Sequence, residues 1–251
     1  MKKYFYIAGL TFLLFQGVSA QSRVAIQSLS IIDCPTAATL ERGSFLTAID
    51  VFHMGGLNGS MEVGISDRVM FGISFGGTNL IGSGPVEWNP RAAVNIRYRM
   101  IDEQLTFPAI AIGYNDQGKG AYIDSLQRYM EKSKGLYLAF SKSFQFLGTL
   151  AFHGGINYSF EQEDHDKDMN AYFGIEKGLN EELGLFVEYD LAMNDNTGLS
   201  LGAGKGYLNA GLKWIFQGKL FVNFVWKNIL QNNKYHRYSG REIRLGYVEY
   251  F

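Results

Sequence analysis

Few side chains in this sequence could do chemistry, and they are scattered. Four histidines and a single cysteine occur in 251 residues. His165 stands between Asp164 and Asp166 in the acidic stretch Glu161–Asp168, a composition able to bind a divalent cation or to place an Asp–His pair at a surface. Adjacent residues rarely face one substrate, however, and no second acidic pair follows, so the stretch is expected to be a solvated charged loop. His153, with Asn157 and Ser159 further along, offers a base and a hydroxyl, but hydrolysis at a bilayer needs them facing lipid within hydrogen-bond reach. His236 and Ser239 have no orienting third partner. Gly202-Ala-Gly-Lys-Gly206 lacks the Gly-Lys-Ser/Thr ending and the strand-to-helix setting of a phosphate loop. Cys34 alone excludes an intrachain disulfide and a multi-cysteine zinc site, and it lies too far beyond the apolar N-terminus to be lipidated. The expectation is no enzyme: no catalytic, cofactor-binding or metal-binding residue.

The elements around these residues say more. Lys2 and Lys3, the apolar run Ile7–Phe15 and Val18-Ser19-Ala20 make residues 1–20 a secretory signal peptide. A formal net charge of -1 gives no basic field for nucleic acid. Beyond residue 20 no apolar run is long enough for a spanning helix. Instead, apolar and polar residues alternate with period two, the strand signature. Leu183, Leu185, Val187 and Tyr189 alternate with Gly184, Phe186, Glu188 and Asp190, and Leu208, Ala210, Leu212 and Trp214 with Asn209, Gly211 and Lys213. About twelve such segments fall near 43–53, 58–66, 68–76, 91–101, 105–114, 134–143, 148–159, 169–178, 182–193, 206–216, 218–229 and 241–251, each long enough to cross a bilayer as a tilted strand.

Short links (Ser66–Arg68, Ile101–Gln104, Ser143–Leu147, Leu179–Glu181, Gln217–Gly218) alternate with links that are long and polar, apart from the tight Met54–Leu57. That asymmetry predicts an all-β, transmembrane antiparallel β-barrel with short periplasmic turns and longer extracellular loops. Trp214, Trp226, Tyr98 and Tyr158 fall toward strand ends on the apolar face, as interfacial girdles require. The opposite face carries Gly, Ala, Ser and Asn with Arg97, Arg99, Glu188, Asp190, Lys213 and Arg244, which are expected to form a structural ion network in a narrow lumen. His153 falls on this face, as a hydrogen-bonding side chain. Residues 21–42 are expected to be a periplasmic segment able to plug the lumen of a barrel spanning 43–251. Phe251, with Tyr247 and Leu245 at alternate positions before it, is similar to the assembly signal of outer-membrane barrels, although Glu249 stands where an aromatic is usual.

The stretch Pro35-Thr-Ala-Ala-Thr-Leu-Glu-Arg-Gly-Ser-Phe45, leading into an alternating strand, resembles the opening of the YjbH-type exopolysaccharide-associated proteins. Phe224–Asn232, Arg241–Tyr247 with its terminal Phe, Asn89-Pro90 and Phe107–Gly113 add to the likeness, which covers the ends better than the middle. The family's members are much longer, so this chain would be a single-barrel relative. The resemblance implies an outer-membrane protein of a Gram-negative envelope linked to polysaccharide production or export, with no catalytic residue to carry over. The partners expected are outer-membrane lipid, the barrel-assembly machinery and polysaccharide-export components. The alternatives are an enzyme acting at the barrel rim, a narrow diffusion channel, or a soluble β-sandwich with the polar face outside.

Overall fold

The computed structural model describes residues 28–235 and 239–251. The expected signal peptide, residues 21–27 of the expected plug segment 21–42, and His236 lie outside the described residues. The strands are β1 (Ser44–Phe52), β2 (Gly56–Ser66), β3 (Val69–Thr78), β4 (Glu87–Trp88), β5 (Ala93–Ile101), β6 (Ala109–Asn115), β7 (Lys119–Ile123), β8 (Arg128–Glu131), β9 (Gly135–Gln145), β10 (Thr149–Tyr158), β11 (Asn170–Gly178), β12 (Leu183–Asp190), β13 (Tyr207–Phe216), β14 (Leu220–Lys227) and β15 (Gly240–Tyr250). Twelve of them form one antiparallel ring, closed because β1 pairs with both β2 and β15. β4 pairs antiparallel with the last residues of β3, and β7 with β8 makes a separate hairpin.

Every alternating segment of the sequence becomes one barrel strand, with shifts at the ends that have local causes. Residues 105–108 do not pair as strand, because a turn closes from the Gln104 amide to the Phe107 carbonyl and Pro108 has no amide hydrogen to donate. β12 stops at Asp190, whose carboxylate takes the amide of Ala192, a residue with φ 48 that leaves the extended region. The tight β1–β2 link uses Met54 and Gly55 at φ 62 and 60. A side chain at Gly55 would meet the carbonyl oxygen of Ile81 at 2.0 Å.

The apolar face points outward. Phe71, Ile73, Phe75, Leu185, Phe224 and Trp226 all stand exposed around the ring. A continuous apolar belt of this extent belongs against acyl chains, and it removes the soluble sandwich, which would bury that face. Inside, large side chains lie flat over a glycine directly opposite on the next strand: Tyr137 over Gly113, Tyr172 over Gly155, Phe186 over Gly211 and Phe221 over Gly246. This pairing gives several of the chain's 30 glycines their positions and lets a narrow lumen contain aromatic rings. Gly155→Ala would put Cβ 2.3 Å from Tyr172 Oη and 2.6 Å from the Leu138 carbonyl. The expected loss is about 1–3 kcal/mol from overpacking, read as a lower temperature for the folded-to-unfolded mobility shift on gels.

At the short-turn rim the amide of Phe251 donates to the Gly43 carbonyl at 2.8 Å and its ring lies 5.2 Å from that of Phe45. Tyr247 and Leu245 face outward with the apolar belt. Glu249 pairs with Lys219 of the β13–β14 turn at 2.7 Å.

Candidate functional site

The lumen is occupied by the chain's own N-terminal segment. Residues 28–40 enter from the short-turn end as a narrow tongue, folded back by a Ser30–Pro35 bridge. Hydrogen bonds from the Ile31 amide to the Cys34 carbonyl (2.9 Å) and from the Thr36 amide to the Leu29 carbonyl (3.1 Å) hold the fold-back. At its base Leu29 and Leu40 pack with Leu46, Phe221, Ile215 and Val248 in an apolar collar near the turns. Its tip, Ile31, Ile32 and Cys34, packs on Tyr172, Phe186 and Val225.

A tongue without regular pairing buries backbone groups that need partners, and the wall provides them. One oxygen of Glu188 accepts the amides of Ile32, Asp33 and Cys34 at 2.9, 2.9 and 2.8 Å, while the other accepts Asn209 Nδ2 at 3.0 Å. Successive amides converging on one anion form a nest, here closed around a side-chain carboxylate. Arg97 donates to the carbonyls of Leu29 (2.8 Å) and Ala38 (2.6 Å) and to Tyr137 Oη (2.8 Å). Tyr172 Oη donates to the Pro35 carbonyl at 2.9 Å, and the Ala37 amide donates to Ser141 Oγ at 2.9 Å. Asp33 at the tip pairs with Lys227 and, at 3.4 Å, with Lys119 of β7.

A cap covers the opposite end. The β7–β8 hairpin, with a 3-10 turn at Asp124–Leu126, folds over the mouth, and Lys119 of β7 also pairs with Asp50 at 3.8 Å. Arg128, fully buried, donates to Asp164 at 2.6 Å and Asp195 at 2.7 Å, which stitches the loops at 160–168 and 194–205 to the hairpin. Lys132 adds a second donor to Asp164 at 2.7 Å. The expectation of a solvated acidic loop is corrected here: Asp164 and Asp166 are buried counter-charges and polar anchors. His165 between them takes φ 63. Asp166 accepts the amides of Asn196 (2.9 Å) and Thr197 (3.2 Å) and the Ser200 hydroxyl (3.1 Å). Burial alone would raise its pKa, but these donors outweigh it and hold the carboxyl below the usual range. A depressed carboxyl stabilises the fold above its unfolded pKa and loses that contribution as pH falls through the lowered value. Loop cleavage by pepsin should therefore begin only below about pH 3.9, the ordinary Asp value.

The six predicted lumen charges do not form one network. Arg97 and Glu188 grip the tongue. Arg99 pairs with Asp102 at 2.9 Å near the short-turn rim. Asp190 pairs with Lys134, Lys213 with Glu176 at 3.7 Å, and Arg244 with Asp50 at 3.6 Å. Among the described residues no ion pair joins any two of the six. Glu176 and Asp50, the partners of Lys213 and Arg244, occupy inward positions of alternating strands and are legible as such in the sequence. Asp33, the counter-charge of Lys227, is not, since it belongs to the tongue.

His153 Nδ1 lies 2.8 Å from Ser141 Oγ, the hydroxyl that the tongue's Ala37 amide already occupies, and His153 Nε2 has no hydrogen-bond partner among the described residues. In the Gly202–Gly206 stretch the amides of Ala203 and Lys205 converge on Asn232 Oδ1, both at 2.9 Å. No group of three or more His, Cys, Asp or Glu able to hold a metal occurs among the described residues.

No family model matches the chain, and no curated protein matches it. Among solved structures it is similar to the KdgM porin, with 8% identity, 83% of this chain and 99% of that chain covered, and a TM-score of 0.47. It is also similar to the NanC porin (8% identity, 82% and 99% covered, TM-score 0.46) and to the translocator domain of the autotransporter NalP from Neisseria meningitidis (12% identity, 83% and 86% covered, TM-score 0.37). The closed barrel of this chain stands on its own strand pairing.

Proposed function

We propose that this chain is a non-enzymatic outer-membrane β-barrel of a Gram-negative envelope, closed to diffusion at rest by its own N-terminal tongue. The observation that carries this reading is the Glu188 carboxylate closed inside three tongue amides. The polar inner wall, which in an open pore would face water, is here matched to backbone groups of residues 28–38. A non-enzymatic role is supported by the Ser141–His153 pair, which lies under the tongue with no third group among the described residues hydrogen-bonded to the imidazole.

In a planar lipid bilayer the purified barrel is expected to insert without a steady open-pore current, and a steady current would overturn the closed reading. The YjbH-like ends support a place in exopolysaccharide production or export. A strain lacking the chain is then expected to release less polysaccharide, and unchanged release would remove that link while leaving the closed barrel intact.

A further inference from the structure

The inner wall formed by β2, β3 and β5 carries a polar cluster that neither tongue nor cap satisfies. Glu62, Gly72 and Asn95 are register partners across these three strands, and Ser60 pairs with Ser74 one inward position away. With no side chain at Gly72, Glu62 lies over it, since a Cβ there would sit 2.6 Å from Glu62 Cγ. Glu62 reaches Asn95, whose Nδ2 donates to Oε1 at 3.0 Å. Glu62 and Asn95 are each 9% exposed. Yet Glu62 Oε2, Asn95 Oδ1 and Ser60 Oγ are buried with no hydrogen-bond partner among the described residues. No ion pair reaches Glu62 there either. Arg97, the next inward residue on β5, directs its hydrogen bonds to Tyr137, Leu29 and Ala38 instead.

A buried carboxylate with a single amide donor is unfavourable unless a positive charge or a proton joins it. Three unpartnered oxygens on neighbouring inward positions form a donor set of hard character, suited to an alkali or alkaline-earth cation and unsuited to soft metals. Only one of these groups carries formal charge, which matches one positive charge and would leave a divalent ion under-compensated in a buried site. We propose that Glu62, Asn95 and Ser60 bind one monovalent alkali cation inside the barrel wall.

The test follows thermal unfolding of the full, folded barrel in detergent, with NaCl exchanged for choline chloride at constant ionic strength. The expected result is a melting temperature that rises saturably with Na+ by a few degrees. That rise should be absent in choline and absent in Glu62→Gln, but kept in Glu249→Gln at the rim. Equal melting in the two salts would overturn the proposal, as would a Glu62→Gln barrel that still responds to Na+. The first result would assign the orphan oxygens to water or to a protonated carboxyl. Should Glu62→Gln fail to fold, Ser60→Ala is expected to raise the Na+ concentration of half-effect severalfold, and an unchanged midpoint would overturn the site.

Discussion

Glu188→Ala is expected to turn a silent barrel into a conducting one. The carboxylate is the shared acceptor for the amides of Ile32, Asp33 and Cys34 and also receives Asn209. Alanine leaves three tongue amides buried without partners, each at a cost of about 1–3 kcal/mol. Together these costs rival the whole stability of a small domain, about 5–15 kcal/mol, and within the described chain the tongue is covalently joined to the barrel only through the residues leading into β1. Release is therefore the less costly response. The ring itself should persist, because β12 pairs with β11 and β13 through backbone groups that the substitution does not touch. The variant should keep its heat-modifiable mobility, carry current in a planar bilayer and become cleavable within residues 28–40. Glu188→Gln should fall between the two, since it keeps one acceptor oxygen but loses the charge that favours the nest. A Glu188→Ala barrel that stays silent and protected would show that this carboxylate does not retain the tongue.

The contrast between wall and contents explains what could be read from the sequence. Strand alternation is a local, period-two signal, so the twelve strands and the inward position of Glu188, Arg97 or Asp50 follow from a few neighbouring residues. Partner choice is not local. Glu188 meets amides 154 to 156 positions away, and Asp50 meets Arg244 because ring closure sets β1 beside β15. Nothing in the residues flanking Glu188 tells a structural ion pair from a carboxylate that binds backbone. The acidic stretch Glu161–Asp168 misled for the related reason that composition reports polarity and not burial. Asp164 became buried because Arg128, 36 residues earlier, was brought over the mouth by a hairpin with weak alternation of its own.

The second large effect is expected from Arg128→Met, which fits the buried stem but removes the charge. Asp164 would keep Lys132, and Asp195 would keep the Tyr207 hydroxyl at 2.7 Å and the Leu201 amide at 3.1 Å, but neither would retain the guanidinium that joins them. Breaking a buried pair from one side costs about 3–5 kcal/mol, because the other charge stays buried. The loops at 160–168 and 194–205 should then detach from the β7–β8 hairpin and become sites of rapid proteolysis, with the strand ladder and gel mobility unchanged. Current should stay absent, because the tongue is gripped from the wall. Cap and tongue meet through Lys119 with Asp33, and through Lys227, which pairs with both Asp33 and, at 3.0 Å, Glu131 of β8. Combining Arg128→Met with Glu188→Ala should therefore give more current than Glu188→Ala alone, by an amount that measures how far the cap still narrows the mouth once the tongue is released. If Arg128→Met alone conducts, the cap and not the tongue is the barrier, and the closed state must be assigned to the loops.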